Sequence, residues 1–308
     1  MGLAPFCSSP GRSASVSAAM LDGRALAKTI RARIAVETAD FVGRTGVAPG
    51  LSVVVVGDDP ASQVYVRHKE SAAREAGMAG GVIRLAGDVE AGALLAVIDQ
   101  LNGDPAVHGI LVQLPLPAHI DERAVIERVS ALKDVDGFHP ENLGLLAQGS
   151  PRFAPCTPWG IRALLIASGI ETRGRRGVVL GRSRIVGLPM ALLLMQKGLG
   201  GDATVTVCHT ATPDPRSITR EADIVIVAMG RPELVNASWV KPGAVVVDVG
   251  IHRGEGGKLV GDVDHASVGP IASWITPVPG GVGPMTIAML LENTLKAARL
   301  ATGQASAP

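Results

Sequence analysis

The chain has 308 residues, 47% of them hydrophobic, with a formal net charge of +1. That length predicts two domains, each with its own core, and the near-neutral charge gives no electrostatic reason for a nucleic-acid or anionic-membrane partner. No apolar run approaches the about 18 residues needed to cross a bilayer. The three cysteines, Cys7, Cys156 and Cys208, show no CxxC spacing, so neither a disulfide framework nor a metal knuckle is indicated and a reducing, cytoplasmic compartment fits.

Residues 1–19 carry five serines, and no acid precedes Asp22. That composition predicts a disordered tail; an organellar transit peptide shares it, whereas a secretory signal would need a continuous apolar centre. Next, "LSVVVVG" (51–57) reads as a buried strand, and Ser62 as the cap of a helix running to Gly77. "GVIRLAG" (81–87) and "VHGILVQ" (107–113) are strands, "VEAGALLAVIDQLN" (89–102) and "ERAVIERVS" (122–130) helices, and "LPLP" stops the third strand. Continuous Val/Ile/Leu strands alternating with helices predict a parallel sheet covered on both faces.

A second α/β unit opens at "PCTPWGIRALLIASG" (155–169), with Thr157 expected to cap a helix beginning at Pro158. "RGVVLG" (176–181) is then a strand, "PMALLLMQKG" (189–198) a helix, and "ATVTVCH" (203–209), "ADIVIVAMG" (222–230) and "GAVVVDVG" (243–250) further strands. The final helical stretch, 284–301, is expected to return to the first domain. The fold class is therefore α/β with two α/β domains, the second Rossmann-like, and a cleft between them. The expected division is 20–153 plus 284–308 for the first domain and 154–283 for the second.

"GRSRIVG" gives Gly181-x-Ser183-x-x-x-Gly187, a variant of the dinucleotide fingerprint with serine at the second glycine and the last glycine one residue late. A strand before it and a helix after it aim free backbone N–H groups at an anion. The next strand ends "VCHTAT" with no carboxylate before Asp214, while Arg182 and Arg184 flank Ser183. A carboxylate would repel a ribose 2′-phosphate and an arginine would hold it, so the cofactor expected is NADP rather than NAD.

Tyr65 and Lys69 stand four residues apart on one helix face, beyond the carboxyl end of the first buried strand. Gln113 ends another strand of the same sheet, and "KDVDGFHP" (133–140) adds carboxylates. An amine beside an amide and away from bulk water is a usable proton acceptor. Taken singly, each of these residues has a bland alternative, a solvated lysine or a packed tyrosine. Short-chain dehydrogenases also carry YxxxK, but with the glycine loop ahead of it, the reverse of the order here. "ITPVPGGVGPMT" (275–286) combines three prolines and three glycines, stiff backbone with room for a ligand.

In this order, "ASQVYVRHK", "GILVQLPLP", "KDVDGFHP", "PCTP", "GRSRIVGLPM", "GDV" and "ITPVPGGVGPMT" resemble the bifunctional methylenetetrahydrofolate dehydrogenase/methenyltetrahydrofolate cyclohydrolase family over roughly residues 20–300. The resemblance implies NADP-dependent oxidation of methylenetetrahydrofolate and hydrolysis of the methenyl product to 10-formyltetrahydrofolate. It implies Lys69 as catalytic lysine, Gln113 as the glutamine tuning it, Tyr65 along the folate and Asp136 on the pterin edge. Pro279 and Gly280 would wall the folate site, and Gly181, Arg182, Ser183, Thr210 and Ile251 would line the cofactor. It further implies a metal-free homodimer joined through the nucleotide domain. The alternatives are another Rossmann dehydrogenase acting on an acid, and a catalytically silent nucleotide-binding module.

Overall fold

The computed structural model describes residues 17–304; positions 1–16, most of the expected tail, lie outside the described residues. Residues 17–19 depart from that expectation. Ala19–Met20 form strand β1, which pairs in parallel with a strand more than 250 positions later through Ala19↔Trp274 and Met20↔Ile275. The pairing occupies an otherwise open sheet edge, and Ala18 is buried among the apolar side chains beneath it.

Helix α1 (Gly23–Thr45) starts where Asp22 Oδ1 accepts the Ala25 N–H at 2.9 Å and ends at Gly46 in the left-handed region. Strand β2 (Gly50–Val56) is buried throughout and leads into α2 (Pro60–Glu75). The cap of α2 is Asp59, whose carboxylate accepts the Ser62 N–H at 2.7 Å, not Ser62 itself. Pro60 explains the shift: its fixed φ and missing N–H suit the first helical position, which moves the cap one residue before it.

The unit continues through β3 (Ala79–Leu85), α3 (Ala91–Gly103), β4 (Gly109–Val112), α4 (Glu122–Arg128) and α5 (Pro140–Ala147). Helix α6 (Cys156–Ala167) begins two residues before Pro158 and has no side-chain cap. Thr157 lies inside its first turn, its hydroxyl 2.9 Å from that of Thr286. The cap is unnecessary because the Cys156 N–H already bonds the Asp136 carbonyl at 3.3 Å, and Pro158 lacks an N–H to satisfy.

Then come β5 (Arg176–Leu180), α7 (Gly187–Met195), β6 (Thr204–Cys208), α8 (Pro215–Thr219), β7 (Ile224–Val227) and β8 (Val245–Asp248). A short hairpin, β9 (His252–Arg253) with β10 (Leu259–Val260), precedes α9 (His265–Val268), β11 (Trp274–Ile275) and α10 (Val282–Ala301).

Two parallel sheets result, one in the order β3-β2-β4 and one in the order β1-β11-β8-β7-β5-β6. Both are covered on each face, as the unbroken apolar strands predict. Val53 and Val55 face one core with α1, α2 and α10, while Val54 and Val56 face another with α3 and α4. Ile224 and Ile226 likewise point to the opposite core from Val225 and Val227, which is the period-two alternation of a strand buried on both sides. Helix α10 packs against α1 and α6 and reaches α2, β2 and β4. Its Met285, Met289, Leu291 and Leu295 are buried in the core beneath the first sheet. Truncating one such leucine costs about 2–5 kcal/mol.

Candidate active site

In each sheet the strand order reverses beside one inner strand: β2 has β3 on one side and β4 on the other, and β5 has β6 and β7. The crevice at the carboxyl ends of such strands is where α/β sheets place ligands.

In the first sheet, α2 carries Lys69 back over this crevice. Lys69 is only 7% exposed, the one lysine or arginine among the buried side chains described. Its Nζ donates to Gln113 Oε1 at 3.0 Å, and Gln113 Nε2 donates to the Leu114 carbonyl at 2.6 Å, which orients the amide oxygen toward the amine. Gln113 is held by its own N–H, bonded to the Val54 carbonyl of β2 at 2.8 Å. The third member is Asp136. Burial pushes its carboxyl above the usual range; the Lys69 charge and a hydrogen bond from the Cys156 thiol oppose that rise, while the charge of neighbouring Asp134 adds to it. Lys69, Gln113 and Asp136, from three separate segments, thus form one cluster. Tyr65 lies one turn earlier on the same helix face, half-buried, its phenol pushed up by burial.

The loop bearing Asp136 is firmly anchored. Gly137 adopts φ 76° and lies against Ala154 and Pro155, where a side chain would clash with backbone. Asp134 accepts the Phe138 and His139 N–H groups and the Asn142 amide at 2.8–3.2 Å. Buried Asn293 on α10 donates to the Val135 and Ala154 carbonyls at 2.8 and 3.1 Å, tying this loop and the segment just before α6 to α10. Asn293 and Asp134 did not figure among the candidates; an amide inside the apolar run "MLLENTL" was the available signal.

Pro279 and Gly280 lie in the loop before α10 and share none of the hydrogen bonds of the cluster. Gly280 has φ 116° and its carbonyl accepts the Arg24 N–H at 2.8 Å. Gly23 lies flush on the Gly281 carbonyl, leaving no room for a side chain. Pro279 is exposed.

In the second sheet the loop after β5 has Gly181 at φ 116°, directly against the Ala228 carbonyl beyond β7. Gly187 in turn lies on the Gly181 carbonyl, so both glycines are required by close backbone approach. Ser183 is engaged within the protein: its Oγ accepts the Val186 and Gly187 N–H groups at 3.2 and 3.4 Å, capping α7. Arg182 and Arg184 are exposed, and neither has an acidic partner among the described residues. Asp214, the first carboxylate after β6, caps α8 by accepting the Ser217 N–H at 3.2 Å. Thr210 follows β6 and Ile251 follows β8; both are exposed, Ile251 at 44%. A cradle of close glycines, free arginines and a committed Asp214 fits an NADP pyrophosphate and 2′-phosphate. Among the described residues no three His, Cys, Asp or Glu side chains are grouped to hold a metal ion, and no helix is long and apolar enough to cross a membrane.

Two parallel α/β sheets, each gathering polar side chains where its strand order reverses, define a two-domain dinucleotide-dependent enzyme. Residues 21–136 match the model of the tetrahydrofolate dehydrogenase/cyclohydrolase catalytic domain and residues 155–302 that of the corresponding NAD(P)-binding domain. The chain is 55% identical to the bifunctional protein FolD of Magnetococcus marinus, over 92% of this chain and 98% of that protein. A FolD crystal structure from Campylobacter jejuni superposes with a TM-score of 0.87 at 49% identity, covering 92% of this chain and 99% of that one. The Trypanosoma brucei dehydrogenase-cyclohydrolase, solved with NADP and an inhibitor, gives 0.88 at 43% identity, with 93% and 99% covered. The chain belongs to the tetrahydrofolate dehydrogenase/cyclohydrolase family. It is a bifunctional NADP-dependent enzyme that oxidises 5,10-methylenetetrahydrofolate and hydrolyses the methenyl product to 10-formyltetrahydrofolate.

Proposed function

We propose that both reactions occur in the cleft between the two domains, on a folate reaching from the Lys69 cluster to the glycine loop at Gly181. The observation that carries this reading is the buried Lys69 amine, bonded to Gln113 and electrostatically joined to Asp136. Asp136 takes the donor edge of the pterin in bidentate fashion, Tyr65 lies along the ring system, and Pro279 with Gly280 walls it. Gly181, Arg182, Ser183, Thr210 and Ile251 line the dinucleotide site. NADP⁺, when bound there, accepts the hydride from the methylene carbon.

That loss leaves a cation delocalised over two nitrogens, so the first step asks of the protein positioning rather than acid or base. In the second step water adds to the cationic carbon. Lys69 Nζ, aimed by Gln113 Oε1, takes the proton of that water, and the adduct opens by breaking one carbon–nitrogen bond to leave the formyl group. The same ammonium returns the proton to the departing ring nitrogen, and the hydroxyl proton of the adduct leaves to solvent as the carbonyl forms. Supplying methylenetetrahydrofolate with NADP⁺ and then NAD⁺, followed by absorbance, tests the assignment. Cofactor reduction is expected with NADP⁺ and more slowly with NAD⁺; no reduction with either removes the oxidative half of the reading.

Arg182→Ala is expected to raise the KM for NADP⁺ roughly tenfold, the loss of one charge-assisted bond to the 2′-phosphate, with a smaller change for NAD⁺. Equal changes for the two cofactors would refute the contact. The division proposed is 20–153 with 284–308 as the folate domain and 154–283 as the nucleotide domain, with β1 the segment that crosses to the second sheet. The assembly proposed is a homodimer built through the nucleotide domain. The setting is the cytoplasm, with no nucleic-acid or membrane partner; the free, buried thiols of Cys156 and Cys208 suit a reducing compartment.

A further inference from the structure

Two fully buried carboxylates in the second domain take no part in the chemistry above: Asp248, which ends β8, and Asp262, which follows β10, at 1% and 0% exposure. Neither is paired with a lysine or arginine in any ion pair of the described residues; backbone N–H groups and one imidazole each surround them. Asp262 Oδ2 accepts the Met229 and Gly230 N–H groups at 2.6 and 2.9 Å. Its Oδ1 accepts the Arg231 N–H at 2.9 Å and lies 2.7 Å from His252 Nε2. Asp248 Oδ1 accepts the Gly250 and Asp262 N–H groups at 3.0 and 2.9 Å.

The glycines beside them complete the arrangement. A side chain on Gly250 would strike the Asp262 carboxylate, and one on Gly261 would strike that of Asp248. Each acid occupies the volume that the other's neighbouring glycine leaves open, which accounts for the "GDV" at 261–263.

The groups so tied are the far bank of the nucleotide crevice. Residues 229–231 follow β7, immediately after Ala228, whose carbonyl abuts Gly181. Ile251 sits between Gly250, bonded to Asp248, and His252, bonded to Asp262. One carboxylate therefore sets the turn beyond β7 and the residue beyond Ile251 together.

We propose that Asp262 is a positioning residue for the dinucleotide, fixing the 229–231 turn and the Ile251–His252 segment as one rim against which NADP binds. This deepens the assignment of that crevice to NADP and rests on it. The side chain does not touch the cofactor; it acts by keeping four donors in register through a single buried anion. An asparagine of the same shape accepts at one atom only and turns its NH₂ toward two of those donors.

The test uses the two activities of the full-length enzyme, because methenyl hydrolysis consumes no cofactor. Asp262→Asn is expected to raise the KM for NADP⁺ tenfold or more, with the KM and kcat of hydrolysis within about twofold of the wild type. Loss of both activities in proportion would reduce Asp262 to a folding role and overturn the proposal, as would an unchanged KM for NADP⁺. If Asp262→Asn does not fold, His252 decides: His252→Ala should raise the KM severalfold and His252→Gln, which keeps a donor, should restore it. Equal behaviour of those two variants overturns the proposal. Arg182→Ala, run in parallel, separates the two layers. A raised KM there without one in Asp262→Asn sinks only the positioning role, whereas no change in either sinks the crevice assignment itself.

Discussion

Replacing Lys69 by methionine is expected to abolish hydrolysis of methenyltetrahydrofolate while leaving NADP binding intact. Methionine matches the length of the lysine stem, and the site is nearly closed to water, so the fold has no volume to collapse into. What is lost is the amine that donates to Gln113 and that the proposed mechanism uses as its proton acceptor. General-base groups of this kind contribute about 10²–10⁴ in rate, and a fall of that size in methenyl absorbance decay is the measurement. Two side effects follow from the same geometry. Gln113 Oε1 keeps its place through Val54 and Leu114 but loses its donor, an unsatisfied acceptor worth about 1–3 kcal/mol in stability. The Asp136 carboxyl loses the positive neighbour that opposes its burial, so its pKa rises further. If Asp136 holds the pterin edge as proposed, folate binding should then weaken as the pH is lowered, at a higher pH than in the wild type, because only the ionised carboxylate accepts two donors. Hydrolysis within tenfold of the wild type would remove Lys69 from the role of base.

The parts of this site that were legible in the sequence are those where spacing and chemistry agree locally. Tyr65 and Lys69 share a face because four residues make about one helical turn, and Gln113 could be placed because it ends a strand of unbroken apolar residues. The Val/Ile/Leu runs specified parallel strands since no face had to be polar. Less legible were features settled by distant partners. Asp59 outcompetes Ser62 as a cap because Pro60 is fixed at the first helical position. Cys156 starts its helix early because the Asp136 carbonyl takes its N–H. The pairing of Ala19 with Trp274 is invisible locally, since two residues of strand carry no periodicity. The role of "GDV" required knowing that Gly250 and Gly261 face the two buried acids, a relation across a hairpin.

The glycine loop carries the second large effect. Gly181→Ala places a methyl group where the Ala228 carbonyl already lies, at a backbone φ of 116°. Strain of that kind costs about 1–3 kcal/mol before any clash is counted. The carbonyl belongs to Ala228, the residue directly after buried β7, whose N–H is bonded to the Leu180 carbonyl at 2.8 Å, so it cannot retreat without pulling on β7 and β5. Gly187 rests on the Gly181 carbonyl, so displacement of the loop also moves the start of α7 and the N–H groups held by Ser183. NADP⁺ reduction is therefore expected to fall by at least tenfold through KM, with a thermal midpoint lower by roughly 5–10 °C, the shift that about 2–3 kcal/mol produces in a domain of this size. Hydrolysis, which depends on the other sheet, should persist below that midpoint. Gly243→Ala is the control, because Gly243 also has a positive φ, 82°, but nothing lies within 4 Å of where its side chain would be. If the two substitutions lower the midpoint equally and leave the KM for NADP⁺ alike, only backbone strain is at work and the loop at Gly181 is not the seat of the dinucleotide. A KM effect confined to Gly181 ties the close approach of this loop to cofactor binding, since strain common to both glycines cannot produce it.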